Sequence, residues 1–418
     1  MVQLEHQPTL LVLLLGGILI VTMLVRSSLP RIGLPSLVGF LALGVLTRAA
    51  DSTWHVLPDL SAQIFDFLGT VGVTFLLFRV GLESNLTGLL RQLRKASVIW
   101  GANIAASGLL GYVAAQWLLG LQPLPSLFVA IALTATSIAV PVAVWRETGS
   151  LDSRNGQLLV DVAEMDDISG VVLMALLFAL TPVLHNGGQA NPGSAIPQTV
   201  ALFFLRLLAF GALCLLFSRY AERHVTGFFG RAGRPGLTLA VAAFGLIIAA
   251  VAGLVGFSVA IGAFFAGLIF SRDPEAVRVD TPFTLLYEFF APFFFINVGW
   301  GIEPSALGGS LSLAGVLLAA AVLGKVVGTG APALLFTGRT GSLLLGVSMV
   351  PRAEITLLIM HRGMALGGWA VSPELYSAMV LVSLSTVVLA PLALNRLLRR
   401  YPQQPSTDRG RQSYIADR

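Results

Sequence analysis

Long apolar runs follow one another from Thr9 to Arg399 with only short polar breaks between them, and this pattern sets the solvent before it sets the fold. A chain of 418 residues with 56% hydrophobic and 11% charged side chains cannot cover a water-facing surface, so the bilayer must be the solvent for most of it. Taking about 20 apolar residues per spanning helix, the runs predict spans at 9–25, 33–47, 61–81, 96–119, 125–145, 156–183, 199–218, 236–253, 257–271, 282–302, 311–336, 341–361 and 373–395. The expectation is an all-α polytopic membrane protein of about thirteen transmembrane helices, forming a single transmembrane unit over 1–400 with a short cytoplasmic tail at 401–418. The second and ninth spans are short enough to be tilted or interrupted. The first run has no basic residue before it and no small-residue cleavage pattern, so it reads as a helix rather than a leader.

Positive charge orients these spans, because Lys and Arg beside a span stay cytoplasmic. Loops after odd-numbered spans carry Arg26 and Arg31; Arg91, Arg94 and Lys95; Arg146 and Arg154; Arg219, Arg223, Arg231 and Arg234; Arg272 and Arg278; and Arg339. Loops after even-numbered spans carry only Arg48 and Arg362. The N-terminus is expected outside and the C-terminus in the cytoplasm. A net charge of +5 scattered in this way marks topology and excludes a nucleic-acid surface. The single cysteine, Cys214, lies in an apolar run and permits no intrachain disulfide.

An internal repeat is legible in the third and tenth spans. Phe75-Leu76-Leu77-Phe78-Arg79-Val80-Gly81 reads like Phe293-Phe294-Phe295-Ile296-Asn297-Val298-Gly299. The preceding spans share a five-residue glycine step, Gly39 to Gly44 and Gly262 to Gly267. Spans 2–6 then repeat as spans 9–13, and an odd offset of seven inverts the second copy. Inverted repeats place a transport site near the midplane on discontinuous helices. The fifth span, with Thr134-Ala135-Thr136-Ser137 before Pro141, and the twelfth, with Pro351-Arg352-Ala353-Glu354, are the candidates, each proline removing a backbone donor.

The sixth span carries Asp161, Glu164, Asp166 and Asp167 into an apolar helix. A charge at the centre of a spanning helix costs about 2.5–3.5 kcal/mol on insertion scales, so Asp166 and Asp167 demand partners, water or protonation. Neighbours on a helix point about 100° apart; one aspartate can take a structural partner while the other faces a cavity. Lys325, mid-way along the eleventh span in Gly324-Lys325-Val326-Val327-Gly328, is the available cation. Arg352 reads as a structural partner of an acid such as Glu354 or Glu164. Glu354 is placed to compensate helix N-termini at a break. Arg79 and Glu288 are expected to pair or snorkel near interfaces, and Arg206 has no partner legible in sequence.

These residues together resemble the bacterial monovalent cation/proton antiporters, a family that includes electrogenic Na+/H+ antiporters and glutathione-gated potassium efflux systems. The resemblance covers nearly the whole span region, through Pro35 to Gly44, Phe75 to Glu83, Thr134 to Ser137, Asp166-Asp167, Gly256 to Ser271, Pro292 to Gly299, Gly324-Lys325 and Pro351 to Glu354. It implies two broken helices crossing at mid-membrane in a core domain, a dimerisation domain including the N-terminal helices, and a homodimer. It further implies that Asp167 binds the transported Na+ or the proton, that Asp166 pairs with Lys325, and that Thr136, Ser137 and Glu354 lie at the crossing. Two departures are Ala353 where the family commonly has glycine, and the lack of a C-terminal nucleotide-binding regulatory domain, which argues against a gated potassium efflux system.

The alternatives are a K+/H+ antiporter or a potassium efflux channel-like protein, and an organic-anion symporter. An intramembrane aspartyl protease needs aspartates on two different helices, and neither Gly-x-Gly-Asp nor His-Glu-x-x-His occurs, so no enzyme and no cofactor is expected. The expected partners are Na+ or another monovalent cation, protons and the lipid of a bacterial inner membrane.

Overall fold

The computed structural model describes residues 2–54, 60–83, 86–185, 192–221, 224, 227–229, 234–271 and 281–404. The loop residues Arg223, Arg231, Arg272 and Arg278 and the tail from 405 lie outside the described residues. Helices dominate and no strand is present among the described residues. Their order is α1 (Val2–Ser28), α2 (Ser36–Trp54), α3 (Leu60–Glu83), α4 (Leu86–Val113), α5 (Pro123–Thr134), α6 (Ala139–Glu147), α7 (Arg154–His185), α8 (Pro192–Leu216), α9 (Arg234–Leu254), α10 (Val259–Phe270), α11 (Thr281–Trp300), α12 (Leu307–Ser348), α13 (Glu354–Leu366) and α14 (Pro373–Arg400).

Nine helical segments among the described residues are long and apolar enough to cross a bilayer, with α5 and α6 counted as one. The other segments of the anticipated thirteen are α2, the short α10, α11, and the one formed where α12 doubles back and continues into α13. That reversal occurs at Gly338, whose φ of 70° only glycine adopts freely. The chain then runs antiparallel to itself, and Ser342 Oγ donates to the Gly330 carbonyl at 2.6 Å. The second span is a continuous 19-residue helix rather than an interrupted one, and the ninth is short at 12 residues but also continuous.

The chain clusters into two compact units. The first comprises Met1–Asn85 and Ala175–Ala306. It is held by aromatic packing of Phe203 and Phe210 on Phe257, and by glycine contacts that join α2 to α11 and α3 to α10. Arg26 pairs with Glu288 at 2.6 Å, and Arg79 pairs with Glu83 at 2.7 Å while lying over the Tyr287 ring. Arg206, exposed on α8, approaches the Gly256 turn.

The second unit comprises Leu86–Met174 and Leu307–Arg418. It holds both discontinuous helices. The fifth span breaks between α5 and α6, where Ala135 is extended with ψ at 148°. Pro141 is in the first turn of α6, where a missing N–H costs little; the break lies on the N-terminal side of the proline. The second break, 349–353, contains Pro351 itself, and proline disfavours helix at the residue before it. The two unwound segments cross and bond to each other, the Ser137 N–H donating to the Pro351 carbonyl at 2.8 Å. Below the crossing, fully buried Trp145 packs with Ile99, Leu159, Val162, Leu345 and Leu394. Its Nε1 donates to Ser348 Oγ at 2.9 Å, tying α6 to the end of α12.

Candidate functional site

Asp166, Asp167, Lys325, Arg352 and Glu354 all fall in the second unit. Asp166 is 1% exposed and Lys325 0%. Both Asp166 oxygens accept hydrogen bonds: Oδ1 from Asn103 Nδ2 at 2.9 Å, and Oδ2 from Thr136 Oγ1 at 2.5 Å and Lys325 Nζ at 2.9 Å. Three donors and no acceptor around a carboxyl group suit its ionised form.

Asp167 is placed differently. It retains 7% exposure and accepts no hydrogen bond among the described residues. Glu164, Glu354, Asp166 and Lys325 are near enough to act on it electrostatically. The helical step of about 100° therefore separates two chemically unlike sites on adjacent residues: one carboxylate saturated by the protein, the other free to take a ligand.

The rotation of α7 that produces this is fixed by α4. Trp100 Nε1 donates to Ser169 Oγ at 3.0 Å, one turn away from the Asn103–Asp166 contact and in antiparallel register. Ser169 in turn donates to the Asp166 carbonyl at 2.9 Å.

A broken helix leaves its last carbonyls without partners in a medium with no water to replace them. At the end of α5 side chains take that role. Thr356 Oγ1 donates to the Ala132 carbonyl at 2.8 Å, Arg352 Nη1 to the Leu133 carbonyl and at 2.8 Å to that of Ala135, and Lys325 Nζ to that of Thr134. Arg352 Nη2 also reaches the Ala321 carbonyl at 3.0 Å. Two cations thus sit at the negative end of a helix dipole. Arg352 was expected beside a carboxylate; its Nη1 and Nη2 donate to backbone carbonyls instead, because the break creates acceptors that the sequence does not display, and its buried Nε has no partner among the described residues. Glu354 occupies the first turn of α13, where a negative charge suits the helix N-terminus. Ser137 Oγ, 3% exposed at the crossing, has no hydrogen-bond partner among the described residues.

Three residues were missed in sequence: Asn103, which donates to Asp166, and Ser107 and Thr329, whose hydroxyls donate to the Asn103 amide oxygen. Their signal was present. Gly324 and Gly328 form a small-x-x-x-small face on α12, and a Cβ on Gly328 would meet Ala106 Cβ at 2.7 Å and Asn103 Cα at 3.1 Å. Close approach of α4 and α12 is what lets the short Asn103 amide reach α7.

A buried, lysine-paired acid beside a second, unsaturated acid at the crossing of two broken membrane helices is the arrangement of a secondary transporter for small cations. The chain belongs to the transmembrane sodium/hydrogen exchanger family, whose model matches residues 17–400. It is 28% identical over 396 residues to the high-affinity Na(+)/H(+) antiporter NhaS3 of Synechocystis, covering 92% of this chain and 83% of that one. It is likewise 28% identical to a Na(+)/H(+) antiporter of Enterococcus hirae, covering 92% and 97%, and 27% identical to the Na(+)/H(+)-K(+) antiporter GerN of Bacillus cereus, covering 90% and 92%. In fold it matches the sodium proton antiporter MjNhaP1 of Methanocaldococcus jannaschii with a TM-score of 0.68 at 15% identity, over 94% of this chain and 97% of that one.

Proposed function

We propose that this protein exchanges Na+ for protons across a bacterial inner membrane by alternating access, with Asp167 as the group that binds cation and proton in turn. The observation that carries this reading is the inequality of the two aspartates: Asp166 is saturated by three donors, while Asp167 keeps exposure and has no donor among the described residues. Hard monovalent cations take oxygen ligands. Asp167 supplies charge, and the unpartnered hydroxyl of Ser137 and that of Thr136 supply neutral oxygens at the crossing. Glu354 and Glu164 add negative potential at Asp167.

One carboxylate trading one proton for one cation moves no net charge. Electrogenic exchange needs a second proton site, and Lys325 fills that role if it releases its proton when Asp166 turns toward the cation. The alternation of basic loops supports an external N-terminus and a cytoplasmic C-terminus, and the family resemblance supports a homodimer. K+ is the second cation to consider, since GerN is named for exchange with both and KhtU of Bacillus subtilis for K(+).

The test is a panel of Na+, Li+ and K+ against the purified protein in proteoliposomes, with an internal pH dye. Na+-dependent proton movement in both directions, set by the gradient, is expected. Proton movement that no cation drives, or cation flux without proton countermovement, overturns exchange.

A further inference from the structure

We propose that Thr386 on α14 is a positioning residue for the exchange site: its hydroxyl holds the Pro351–Arg352 peptide unit, and that unit in turn holds Ser137. The functional consequence rests on the exchange reading, in which the Ser137 hydroxyl supplies a neutral oxygen to the cation. The hydrogen-bond chain itself does not.

The peptide between Pro351 and Arg352 is bonded at both ends. Its carbonyl accepts from the Ser137 N–H at 2.8 Å, and its N–H donates to Thr386 Oγ1 at 3.2 Å. A trans peptide is rigid and points its C=O and N–H to opposite sides, so this unit lies between the break of the fifth span and α14. Thr386 Oγ1 donates its own proton to the Ser383 carbonyl at 3.0 Å, one turn back along α14. A hydroxyl has one proton and two lone pairs; with the proton committed to Ser383, the role left toward Arg352 is that of acceptor. Ser137, Arg352, Ser383 and Thr386 are each at most 3% exposed, so bulk water does not stand in for any of these bonds.

Pro351 has no N–H, so the Arg352 N–H is the first backbone donor after it. Without Thr386 Oγ1 that donor is buried and unmet, a state unfavourable enough to turn the unit toward another acceptor. Because the plane turns as one body, a displaced N–H carries the Pro351 carbonyl away from Ser137. The Arg352 side chain does not prevent this. Its Nη atoms bond the carbonyls of Leu133, Ala135 and Ala321, which fixes the guanidinium, several rotatable bonds from the peptide. Ser137 Oγ has no partner among the described residues, so the backbone bond to Pro351 is the contact that places it. Serine at 386 would keep the accepting lone pair, whereas valine keeps the shape and loses it.

The experiment compares the full-length parent in lipid with Thr386→Val, Thr386→Ser, Ser137→Ala and the combination of Thr386→Val with Ser137→Ala. One readout is amide deuterium uptake, followed by mass spectrometry on peptides covering 135–138 and 349–353. The second is the half-saturating Na+ concentration and the maximal rate of Na+-driven proton movement, and thermal melting reports folding. In Thr386→Val both peptides take up deuterium faster. Half-saturating Na+ rises by about three- to tenfold, the loss of one neutral hydrogen bond, while the maximal rate per folded protein holds. Thr386→Ser keeps the parental values. In the Ser137→Ala background, Thr386→Val adds no further rise in half-saturating Na+. Parental uptake in the 135–138 peptide of Thr386→Val overturns the inference. So does a lower maximal rate at unchanged half-saturating Na+, which is general loosening, or a rise that persists undiminished in the Ser137→Ala background. A Thr386→Ser protein that behaves like Thr386→Val overturns it too, because the lone pair is retained. If Thr386→Val does not fold, Thr386→Ala leaves the same donor unmet without a methyl against it and is judged by the same outcomes. If the parent shows no Na+-driven proton movement but both peptides loosen together in Thr386→Val, Thr386 keeps its role and the exchange reading fails instead.

Discussion

Gly44 on α2 and Gly299 on α11 pack backbone against backbone, each facing the carbonyl three residues before the other, those of Ile296 and Leu41. The same contact recurs between Gly81 on α3 and Gly267 on α10, which face the carbonyls of Phe264 and Phe78. Gly44 and Gly267 are matched glycines of the repeat, as are Gly299 and Gly81, so one pair maps onto the other with its partners exchanged. The side chains follow suit: Asn297 lies against Gly69, and its repeat counterpart Arg79 lies over Tyr287, the counterpart of Gly69. Lipid offers no hydrophobic drive for helix association, so van der Waals contact and Cα–H···O bonds at glycines supply it.

Alanine at any of these four glycines is expected to separate a helix pair. A Cβ at Gly267 would collide with the Phe78 carbonyl, backbone that cannot swing aside, at a cost of about 1–3 kcal/mol. A Cβ added at Gly101 on α4 meets nothing within 4 Å among the described residues beyond its own helix backbone, so Gly101 serves as the control; alanine there should be neutral or gain up to about 1 kcal/mol. Thermal melting in detergent decides: a Gly267→Ala protein as stable as Gly101→Ala contradicts the packing argument.

Asp167→Asn is expected to abolish exchange in a folded protein. The amide keeps the shape but neither binds nor releases a proton in the working range. Because Asp167 accepts no hydrogen bond among the described residues, its melting temperature should equal or exceed the parent's. Parental exchange in proteoliposomes reconstituted with Asp167→Asn would remove Asp167 from the site.

Arg352→Lys is expected to weaken the crossing although it keeps the charge. A guanidinium fork serves the Leu133, Ala135 and Ala321 carbonyls at once, and a point-charge ammonium cannot. Leaving a buried acceptor unsatisfied costs about 1–3 kcal/mol. A fall in melting temperature with residual exchange is the expected pattern. A Lys variant with parental stability would show that the carbonyls find other donors.

The pattern of apolar runs revealed the helices, and the two prolines located the breaks to within a few residues. What sequence could not display was backbone chemistry. The carbonyls that draw Arg352 become acceptors only once α5 ends at Thr134, and no residue type announces them. Lys325 was legible because an ammonium in an apolar run has few ways to exist. Asn103 was not, because an uncharged amide is cheap enough to overlook until Gly324 and Gly328 bring α12 onto it.

The alternation of basic loops predicts that residues near Gln189 and Ser413 lie on opposite sides of the membrane. Single cysteines introduced there, with Cys214 replaced by serine, should react with an impermeant maleimide from opposite faces of oriented vesicles. Reaction from the same face would require an even number of crossings between them and would undo the topology.

Lys325 and Asp166 give the sharpest separation of a structural role from a functional one. Both are buried, so Lys325→Gln alone leaves Asp166 as an uncompensated charge. Breaking such a pair costs about 3–5 kcal/mol, whereas removing both charges together is often close to neutral. Lys325→Gln combined with Asp166→Asn should therefore melt near the parent and well above Lys325→Gln. The combined variant retains Asp167 and so retains the means to trade one cation for one proton. If Lys325 carries the second proton, exchange by this variant is electroneutral and no longer responds to a potassium diffusion potential imposed with valinomycin, while the parent does. If the variant still responds to voltage as the parent does, Lys325 serves only to hold Asp166 and the end of α5. The melting curves and the voltage response are independent, so a stable but voltage-insensitive double variant assigns Lys325 both roles.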